Sequence, residues 1–227
     1  MNQEYDSEKI KAVFWDLDGT ILNTTELILG SYRFAFKKIL ARELNSEEVL
    51  INFGRPLSEV MNEYSKEKAN DLVDSYREYN IEKHDDLIVP FPGIYDAIAN
   101  TYRRGFKQAI VTSKTEWLSD HGLKLFDLRQ YFETIVGVEA TEKHKPCPEP
   151  LIEAMRLLEV ESSEAIYIGD SIFDAKCADG ADVLFASAEW GPNSVAREKI
   201  TPKWRLDDPR DILRVLPSKR HGLWRRK

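Results

Sequence analysis

Four short segments of the 227-residue sequence carry residue types that could do chemistry, and three of them directly follow a short apolar run. The first is Asp16-Leu17-Asp18-Gly19-Thr20, where one residue separates two acids and glycine lets the backbone turn tightly. Concentrated carboxylates call for a cation, and Mg²⁺ is the natural candidate because it binds one or two carboxylates together with phosphate oxygens and water. Taken alone, the two acids could instead belong to an Asp-Gly turn that caps a helix and binds no cation.

The second and third segments could bind phosphate. Thr112-Ser113-Lys114 supplies a hydroxyl and backbone amides before a helix, whose N-terminus carries partial positive charge. Ser and Thr also cap helices routinely, so this segment has a structural interpretation too. Lys145 stands just before a proline-stiffened turn, where it can neutralise phosphate charge and keep a nearby carboxylate ionised, although an isolated lysine is usually exposed.

The fourth segment, residues 166–174, repeats the order of apolar run, glycine and acid. Asp170 and Asp174 are four residues apart and face the same way if a helix has begun there. This spacing predicts metal ligands opposite the first pair of acids.

Strands and helices must alternate along the chain to position these segments. Continuous apolar runs at residues 12–15, 109–111, 134–136, 165–168 and 183–186 are typical of strands covered on both faces. Helical periodicity lies between them, as in Ile94, Ile98 and Tyr102, and in the stretch that follows Pro148-Glu149-Pro150. The alternation predicts the α/β class with a doubly wound, Rossmann-like parallel sheet, which gathers the four segments at the carboxyl ends of its strands.

One stretch interrupts the alternation. From about residue 26 to residue 87, helical patterns follow one another without a convincing strand, until the turn cluster Pro90-Phe91-Pro92-Gly93. Such a stretch is too long for a simple loop. We therefore predict an all-helical cap domain of residues 23–90, inserted into an α/β core domain of residues 1–22 and 91–227.

Composition and charge narrow the class of protein. With 42% hydrophobic and 31% charged residues, and no apolar run near the roughly 18 residues of a membrane helix, the chain does not fit membrane, collagen-like or disordered classes. Its net charge of −7 argues against general nucleic-acid binding. The two cysteines, Cys147 and Cys177, are expected to be buried thiols in a reducing compartment.

The two ends of the chain bear on its location. The first ten residues have no apolar signal region, so we expect a cytoplasmic protein without a membrane partner. The basic end of the chain, residues 219–227, is either a solvated tail or a phosphate-binding segment.

The four segments, in their order and spacing, resemble the motifs of the haloacid dehalogenase superfamily. Those motifs are a strand ending in Asp-x-Asp-Gly-Thr, a strand ending in Thr or Ser, a Lys before a helix, and Gly-Asp-x-x-x-Asp. The helical insert is similar to the cap of the superfamily's small-molecule phosphatases. Within that branch, residues 21–27 (ILNTTEL), 75–80 (SYREYN) and 84–87 (HDDL) resemble the bacterial inorganic pyrophosphatases and their phosphoglycolate phosphatase relatives.

The resemblance implies a Mg²⁺-dependent phosphohydrolase that acts on a small phosphorylated metabolite through an aspartyl-phosphate. Pyrophosphate, phosphoglycolate and sugar phosphates are the implied substrates. Asp16 is implied to be the nucleophile and Asp18 the general acid and base. Thr112 and Lys145 are implied to be catalytic residues that bind the transferring phosphoryl group, and Gly19 and Ser113 are implied to bind phosphate. The implied metal ligands are Asp16, Asp18, Asp170 and Asp174.

Two other functions stay open from the sequence. A phosphosugar mutase of the same fold uses the same aspartyl-phosphate but returns the phosphoryl group to its substrate. A non-catalytic phosphate sensor is the second alternative, and Asp18 argues against it because a sensor needs no acid placed for proton transfer. We expect a monomer or a weak homodimer in each case.

Residues of the insert are harder to assign. Arg55 either binds a second anionic group of the substrate or is a surface arginine of a loop. His84 and His121 are expected to be surface or cap-packing residues rather than catalytic ones. Glu26 either reaches the substrate or stabilises the start of a helix.

Overall fold

A computed structural model of the chain describes residues 7–192 and 201–217. Its strands are β1 (Ala12–Trp15), β2 (Leu22–Asn23), β3 (Val89–Pro90), β4 (Lys107–Val111), β5 (Thr134–Val136), β6 (Ala165–Gly169), β7 (Leu184–Ala188) and β8 (Trp204–Leu206). Six of them form one parallel sheet in the order β5-β4-β1-β6-β7-β8. The predicted doubly wound α/β class is confirmed.

Every residue of the central strand β1 is apolar, so the strand lacks the alternation of apolar and polar residues seen in half-exposed strands. Its side chains point in turn to the two faces of the sheet, and both faces are covered. Val13 and Trp15 belong to one buried cluster. Ala12 and Phe14 belong to another, on the opposite face. All four are fully buried, so a polar substitution in this strand would leave an unpaired group in the core.

In the described ranges the α-helices that accompany the sheet are α5 (Ile94–Arg103), α6 (Glu116–Leu125), α7 (Glu149–Leu158), α8 (Ile172–Gly180) and α9 (Ile212–Val215). As predicted, α7 begins within the Pro148-Glu149-Pro150 sequence, where proline supplies the backbone angle of a first turn. None of the helices in the described ranges is both long and apolar enough to cross a lipid bilayer.

The helical insert comprises four helices, which we label α1 (Thr25–Leu40), α2 (Ser46–Leu50), α3 (Leu57–Tyr64) and α4 (Ala69–Leu87). It has its own apolar cluster, separate from the two clusters that flank the sheet. Tyr32 of α1 packs edge-on against Tyr76 of α4, with ring centroids 5.2 Å apart. The insert therefore holds together through its own core, in agreement with the all-helical pattern of the sequence.

Three short strands were not predicted. β2 and β3 pair antiparallel at the two ends of the insert, with Leu22 opposite Pro90, and β8 extends the edge of the main sheet. Each has only two or three residues, so it lacks the apolar run that marks a strand in sequence.

The prediction of two buried thiols is wrong for one cysteine. Cys177 is buried in the core, whereas Cys147 is half-buried because it lies in the proline-rich turn before α7. The basic residues 219–227 lie outside the described part of the chain, as do residues 1–6.

Candidate active site

The loop after β1 carries the two acids of the first segment. The Asp16 amide donates to the Ile168 carbonyl of β6 at 2.8 Å, so Asp16 still lies in line with the sheet. The chain then turns at Gly19, whose φ is +88°. A Cβ atom on Gly19 would lie 2.6 Å from Asp170 Oδ2, so only glycine lets this loop approach the loop after β6.

Lys145 lies at the centre of the site. Its ammonium group donates to Asp16 Oδ1 and Asp174 Oδ1, each at 2.7 Å, and to the Tyr167 hydroxyl oxygen at 3.1 Å. The lysine side chain is only 4% exposed. Burial lowers the pKa of Lys145, but the charges of Asp16 and Asp174 outweigh this effect and hold the pKa above its usual range. The lysine therefore stays protonated and links two carboxylates.

Asp174 is held by hydrogen bonds on both carboxylate oxygens. Besides Lys145, the Tyr167 hydroxyl contacts Oδ1 at 2.8 Å, and the Ser171 amide and hydroxyl donate to Oδ2 at 3.1 and 2.5 Å. Ser171 is also the N-cap of α8, and its hydroxyl accepts from the Asp174 amide at 3.2 Å. Asp174 is thus positioned to orient Lys145.

Asp170 and Asp174 come together for a reason that differs from the helical spacing. Helix α8 begins at Ile172, so Asp170 precedes it and lies at the end of β6. Carboxylate oxygens of Asp16, Asp170 and Asp174 nevertheless lie within 4.8 Å of one another. The common edge of parallel strands brings Asp16 and Asp170 together, and Asp174 joins them from the first turn of α8.

This acidic cluster fits a divalent cation. All three carboxylates are buried, and burial raises the pKa of Asp16 to about 7, with Lys145 opposing the rise and Asp174 adding to it. A further positive charge beside Asp16 and Asp170 would keep Asp16 ionised at neutral pH. Clustered oxygen ligands of this kind suit hard divalent cations.

Asp18 has a different environment from Asp16. Its side chain is 25% exposed, and its Oδ1 accepts a hydrogen bond from Lys114 Nζ at 3.1 Å. Lys114 itself is largely buried. This contact of Lys114 was not predicted from the sequence. The feature that could have indicated it is the position of the lysine directly after the Thr-Ser pair at a strand end. Asp18 is thus oriented by a cation and still open to the cleft.

Thr112 and Ser113 follow β4. Thr112 is buried, and its hydroxyl accepts from the Lys114 amide at 3.2 Å. The Ser113 hydroxyl lies 3.4 Å from the Gly54 carbonyl of the helical insert, to which it donates. These residues therefore line the cleft where the insert approaches the sheet.

A cleft of about 390 Å³ lies between the ends of the strands and the helical insert. Asp16, Asp18, Thr112, Lys145 and Asp170 line its floor, together with Ser113 and Ser171. Tyr32, Asn52, Arg55, Tyr76 and Arg77 line the side formed by the insert. The site is therefore shared between the sheet, which supplies acids and Lys145, and the insert, which supplies guanidinium and aromatic groups.

The two arginines of the cleft differ in their partners. Arg55 forms a bidentate ion pair with Glu63 of α3, in which Arg55 Nη1 lies 3.0 Å from Glu63 Oε2. Arg55 also donates to Asn52 Oδ1 at 3.1 Å. The exposed Arg77 forms no ion pair with another described residue. Sequence reasoning singled out Arg55 and missed Arg77, although Arg77 lies within the SYREYN segment.

Three residues of the insert and its surroundings fall outside the cleft. Glu26 is exposed in the first turn of α1, which agrees with the helix-start interpretation. His84 is buried in the last turn of α4, and His121 is 45% exposed on α6. Both histidines thus have the packing or surface positions expected of them.

A buried carboxylate paired with a lysine therefore lies at the end of the central parallel strand β1 and faces a charged cleft, at the edge where doubly wound α/β proteins bind their ligands. The fold and this site define a doubly wound α/β protein with a charged cleft at the carboxyl edge of its sheet. Residues 13–188 match the family model of the haloacid dehalogenase-like hydrolases, so the chain belongs to that family.

Comparisons with individual proteins agree with this assignment. The chain is 37% identical over 210 residues to a protein from Caldanaerobacter subterraneus named as a candidate pyrophosphatase PpaX, covering 92% of this chain and 95% of the relative. It is 32% identical to the pyrophosphatase PpaX of Bacillus thuringiensis, covering 92% and 97%. A crystal structure of a candidate phosphoglycolate phosphatase from Lactobacillus plantarum superposes with a TM-score of 0.84 at 23% identity, covering 91% and 99%, and so shares the fold.

Proposed function

We propose that this protein is a Mg²⁺-dependent phosphohydrolase that cleaves inorganic pyrophosphate through an aspartyl-phosphate. The observation that carries the proposal is the buried contact of 2.7 Å between Lys145 and Asp16 at the floor of the cleft. Two relatives above 30% identity, whose names give them as a candidate pyrophosphatase and a pyrophosphatase, support pyrophosphate as the substrate. In this proposal residues 1–22 and 91–227 form the catalytic core, and residues 23–90 form the cap.

In the first step the Asp16 carboxylate attacks one phosphorus atom of pyrophosphate. The bond between that phosphorus and the bridging oxygen breaks, and Asp18 donates a proton to the departing phosphate. Asp18 is suited to this role because it is partly exposed to the cleft and oriented by Lys114. The products of this step are phosphate and an aspartyl-phosphate on Asp16.

In the second step Asp18 takes a proton from water, which attacks the phosphorus of the aspartyl-phosphate. The second phosphate leaves, and Asp16 returns to its carboxylate form. Throughout, Lys145 and Thr112 contact the transferring group, with the backbone amides of Gly19 and Ser113 contributing to its binding. The balance is one pyrophosphate and one water consumed for two phosphates released.

Asp16, Asp170 and the backbone carbonyl of Asp18 would hold the metal, with Asp174 orienting Lys145 and the metal-bound region of the site. The chemistry that Mg²⁺ supplies when bound is charge neutralisation between the carboxylates and the phosphoryl oxygens. Three clustered carboxylates, two of which contact the Lys145 ammonium group, support this requirement.

The side of the cleft formed by the insert is proposed to determine substrate specificity. Pyrophosphate carries a second anionic group beyond the one that is attacked, and a guanidinium group can bind such a group through two hydrogen bonds. Arg55 and Arg77 both line that side, but Glu63 already occupies the guanidinium of Arg55. Arg77 is therefore the stronger candidate for the second phosphate.

Phosphate release from a panel of substrates tests the proposal. We expect the protein to release phosphate from pyrophosphate with Mg²⁺, to lose this activity in EDTA, and to regain it when Mg²⁺ is restored. Phosphoglycolate, a sugar phosphate and p-nitrophenyl phosphate complete the panel. Asp16→Asn is the matched control, because an amide is nearly isosteric with the carboxylate but is not a nucleophile.

Each alternative has its own outcome in this experiment. Full activity in EDTA or in Asp16→Asn would contradict the metal-assisted covalent mechanism. Conversion of a sugar phosphate into its isomer without phosphate release would indicate the mutase, and phosphate binding without turnover would indicate the sensor. Turnover of phosphoglycolate in preference to pyrophosphate would reassign the substrate and keep the mechanism. The cytoplasmic location, the absence of nucleic-acid and membrane partners, and the monomeric or weakly dimeric state stay predictions.

A further inference from the structure

Two histidines and an aspartate meet where the helical insert touches a core helix. His84 and Asp85 belong to the end of α4, and His121 belongs to α6. His84 Nδ1 lies 2.9 Å from Asp85 Oδ1, and His121 Nε2 lies 2.8 Å from the same oxygen and 3.1 Å from Oδ2. One ligand atom of each residue lies within 4.8 Å of the others. None of these three residues has a part in the proposed hydrolysis.

The two imidazole rings are held in place by packing. His84 is 2% exposed and lies against Gly122 of α6, where a Cβ atom would be 3.2 Å from His84 Cε1. The missing side chain of Gly122 thus lets α6 approach the ring of His84. The His121 ring stacks on Trp117, with centroids 6.1 Å apart and planes at 13°. Rings fixed in this way lose little freedom on binding an ion.

The charge states of the cluster suit a metal ion. Burial lowers the pKa of His84, aided by the charge of Lys114, so this imidazole is neutral at neutral pH. The hydrogen bond from His84, and then that from His121, hold the pKa of Asp85 below its usual range. Neutral imidazole and ionised carboxylate are the forms in which these groups bind metals. Asp85 and His121 are 51% and 45% exposed, which leaves a path for an ion and its water.

We propose that His84, Asp85 and His121 bind a divalent transition-metal ion of the Zn²⁺ type, which bridges the helical insert and the core. Two imidazoles and one carboxylate are the ligands of Zn²⁺ sites that keep an open position, whereas Mg²⁺ prefers oxygen ligands alone. Metal–ligand bonds of about 2.0 to 2.2 Å in a tetrahedron separate the ligand atoms by roughly 3.3 Å. The two contacts of Asp85 Oδ1, 2.9 Å to His84 and 2.8 Å to His121, reach this spacing when the exposed side chain of Asp85 moves outward by about half an ångström. The proposal does not depend on the identity of the substrate.

Calorimetric titration with Zn²⁺, in a phosphate-free buffer that contains saturating Mg²⁺, tests this site on the full chain. We expect one Zn²⁺ per chain in the wild type. His121→Gln and Asp85→Asn should each bind it at least about ten-fold more weakly, because each removes one of three ligands. His221→Gln, which changes a histidine outside the described residues, is the matched control and should bind like the wild type.

Two further measurements separate this site from the catalytic one. Asp170→Asn should keep its Zn²⁺ binding, since Asp170 belongs to the other cluster. Co²⁺ should give a visible absorption band with the wild type that is absent from His121→Gln. Thermal melting without Zn²⁺ checks that the variants fold, as expected for changes at half-exposed side chains. No Zn²⁺ binding beside Mg²⁺, equal affinity in wild type, His121→Gln and Asp85→Asn, or loss of binding in Asp170→Asn would overturn the proposal.

Discussion

The hydroxyl of Tyr167 offers a sharp test of how Lys145 is held. This hydroxyl lies 2.8 Å from Asp174 Oδ1 and 3.1 Å from the Val111 carbonyl, and it accepts from Lys145 at 3.1 Å. Burial raises the pKa of Tyr167, and the charges of Asp174 and Asp16 raise it further, so the hydroxyl keeps its proton. Tyr167→Phe removes one oxygen atom and leaves the ring packed against Phe185.

The size of the effect follows from what the hydroxyl contacts. A hydrogen bond to a charged group contributes about 1.5 to 3 kcal/mol, and the loss of the hydroxyl removes the single donor that Asp174 and Val111 share. A change of 1 kcal/mol shifts the melting temperature of a chain of this size by about 2 to 4 °C. Tyr167→Phe should therefore lower the melting temperature by about 3 to 12 °C. It should also lower kcat/KM, because Lys145 loses one of the groups that orient it.

Thermal melting and steady-state phosphate release measure the two effects on the same samples. Tyr95→Phe is the matched control, because the Tyr95 hydroxyl bonds to Tyr131 at 2.9 Å on an exposed surface. Its loss should change stability by no more than about 0.5 kcal/mol. If Tyr167→Phe melted and turned over like Tyr95→Phe, the hydroxyl would have no share in holding Lys145, and the reasoning would be refuted.

Three further predictions concern the cleft. Asp18→Asn should slow the phosphorylation step more for alkyl phosphates than for p-nitrophenyl phosphate, because a good leaving group needs little protonation. Equal losses in single-turnover kinetics would remove Asp18 from the role of general acid. Lys114→Met should lower kcat for pyrophosphate by about ten-fold to a hundred-fold with a smaller change in KM, since its bond of 3.1 Å orients Asp18 rather than the substrate; an unchanged kcat would refute this. Arg77→Ala should raise KM for pyrophosphate by about ten-fold or more and leave KM for p-nitrophenyl phosphate nearly unchanged, while Arg55→Ala has a smaller effect because Glu63 already pairs with it. A larger rise in KM for pyrophosphate in Arg55→Ala than in Arg77→Ala would assign the binding of the second phosphate to Arg55. Equal losses for both substrates would indicate that the substitution impairs cap closure.

Local patterns in the sequence were enough to predict five of the six strands of the main sheet and the acids on the floor of the cleft. The apolar runs at Ala12–Trp15 and Thr134–Val136 coincide with β1 and β5, because strands covered on both faces need apolar residues throughout. Parallel strands end at one edge, so polar residues that follow each run must converge whatever the details of the turns. The sequence alone therefore predicts that Asp16, Thr112 and Asp170 line one cleft, as they do in the structure.

Contacts between distant residues were decided only by the tertiary structure. Lys145 lies between Asp16 and Asp174, and Tyr167 reaches the same place from the middle of β6, where it reads as one more apolar residue of a strand. The meeting of His84 with His121 depends in the same way on how α4 packs against α6, whereas the pairing of Arg55 with Glu63 depends on the turn that precedes α3.

The physical reason is that periodicity reports which side of an element is buried, whereas a contact between two side chains depends on turn angles and packing summed over the chain between them. For Lys145 and Asp16 that separation is 129 residues. The sequence by itself therefore determined the class of fold, the edge of the sheet where chemistry occurs and the acids found there. The tertiary structure decided which partner each charged group has, and with it which acid is buried beside Lys145 and which one stays open to the cleft.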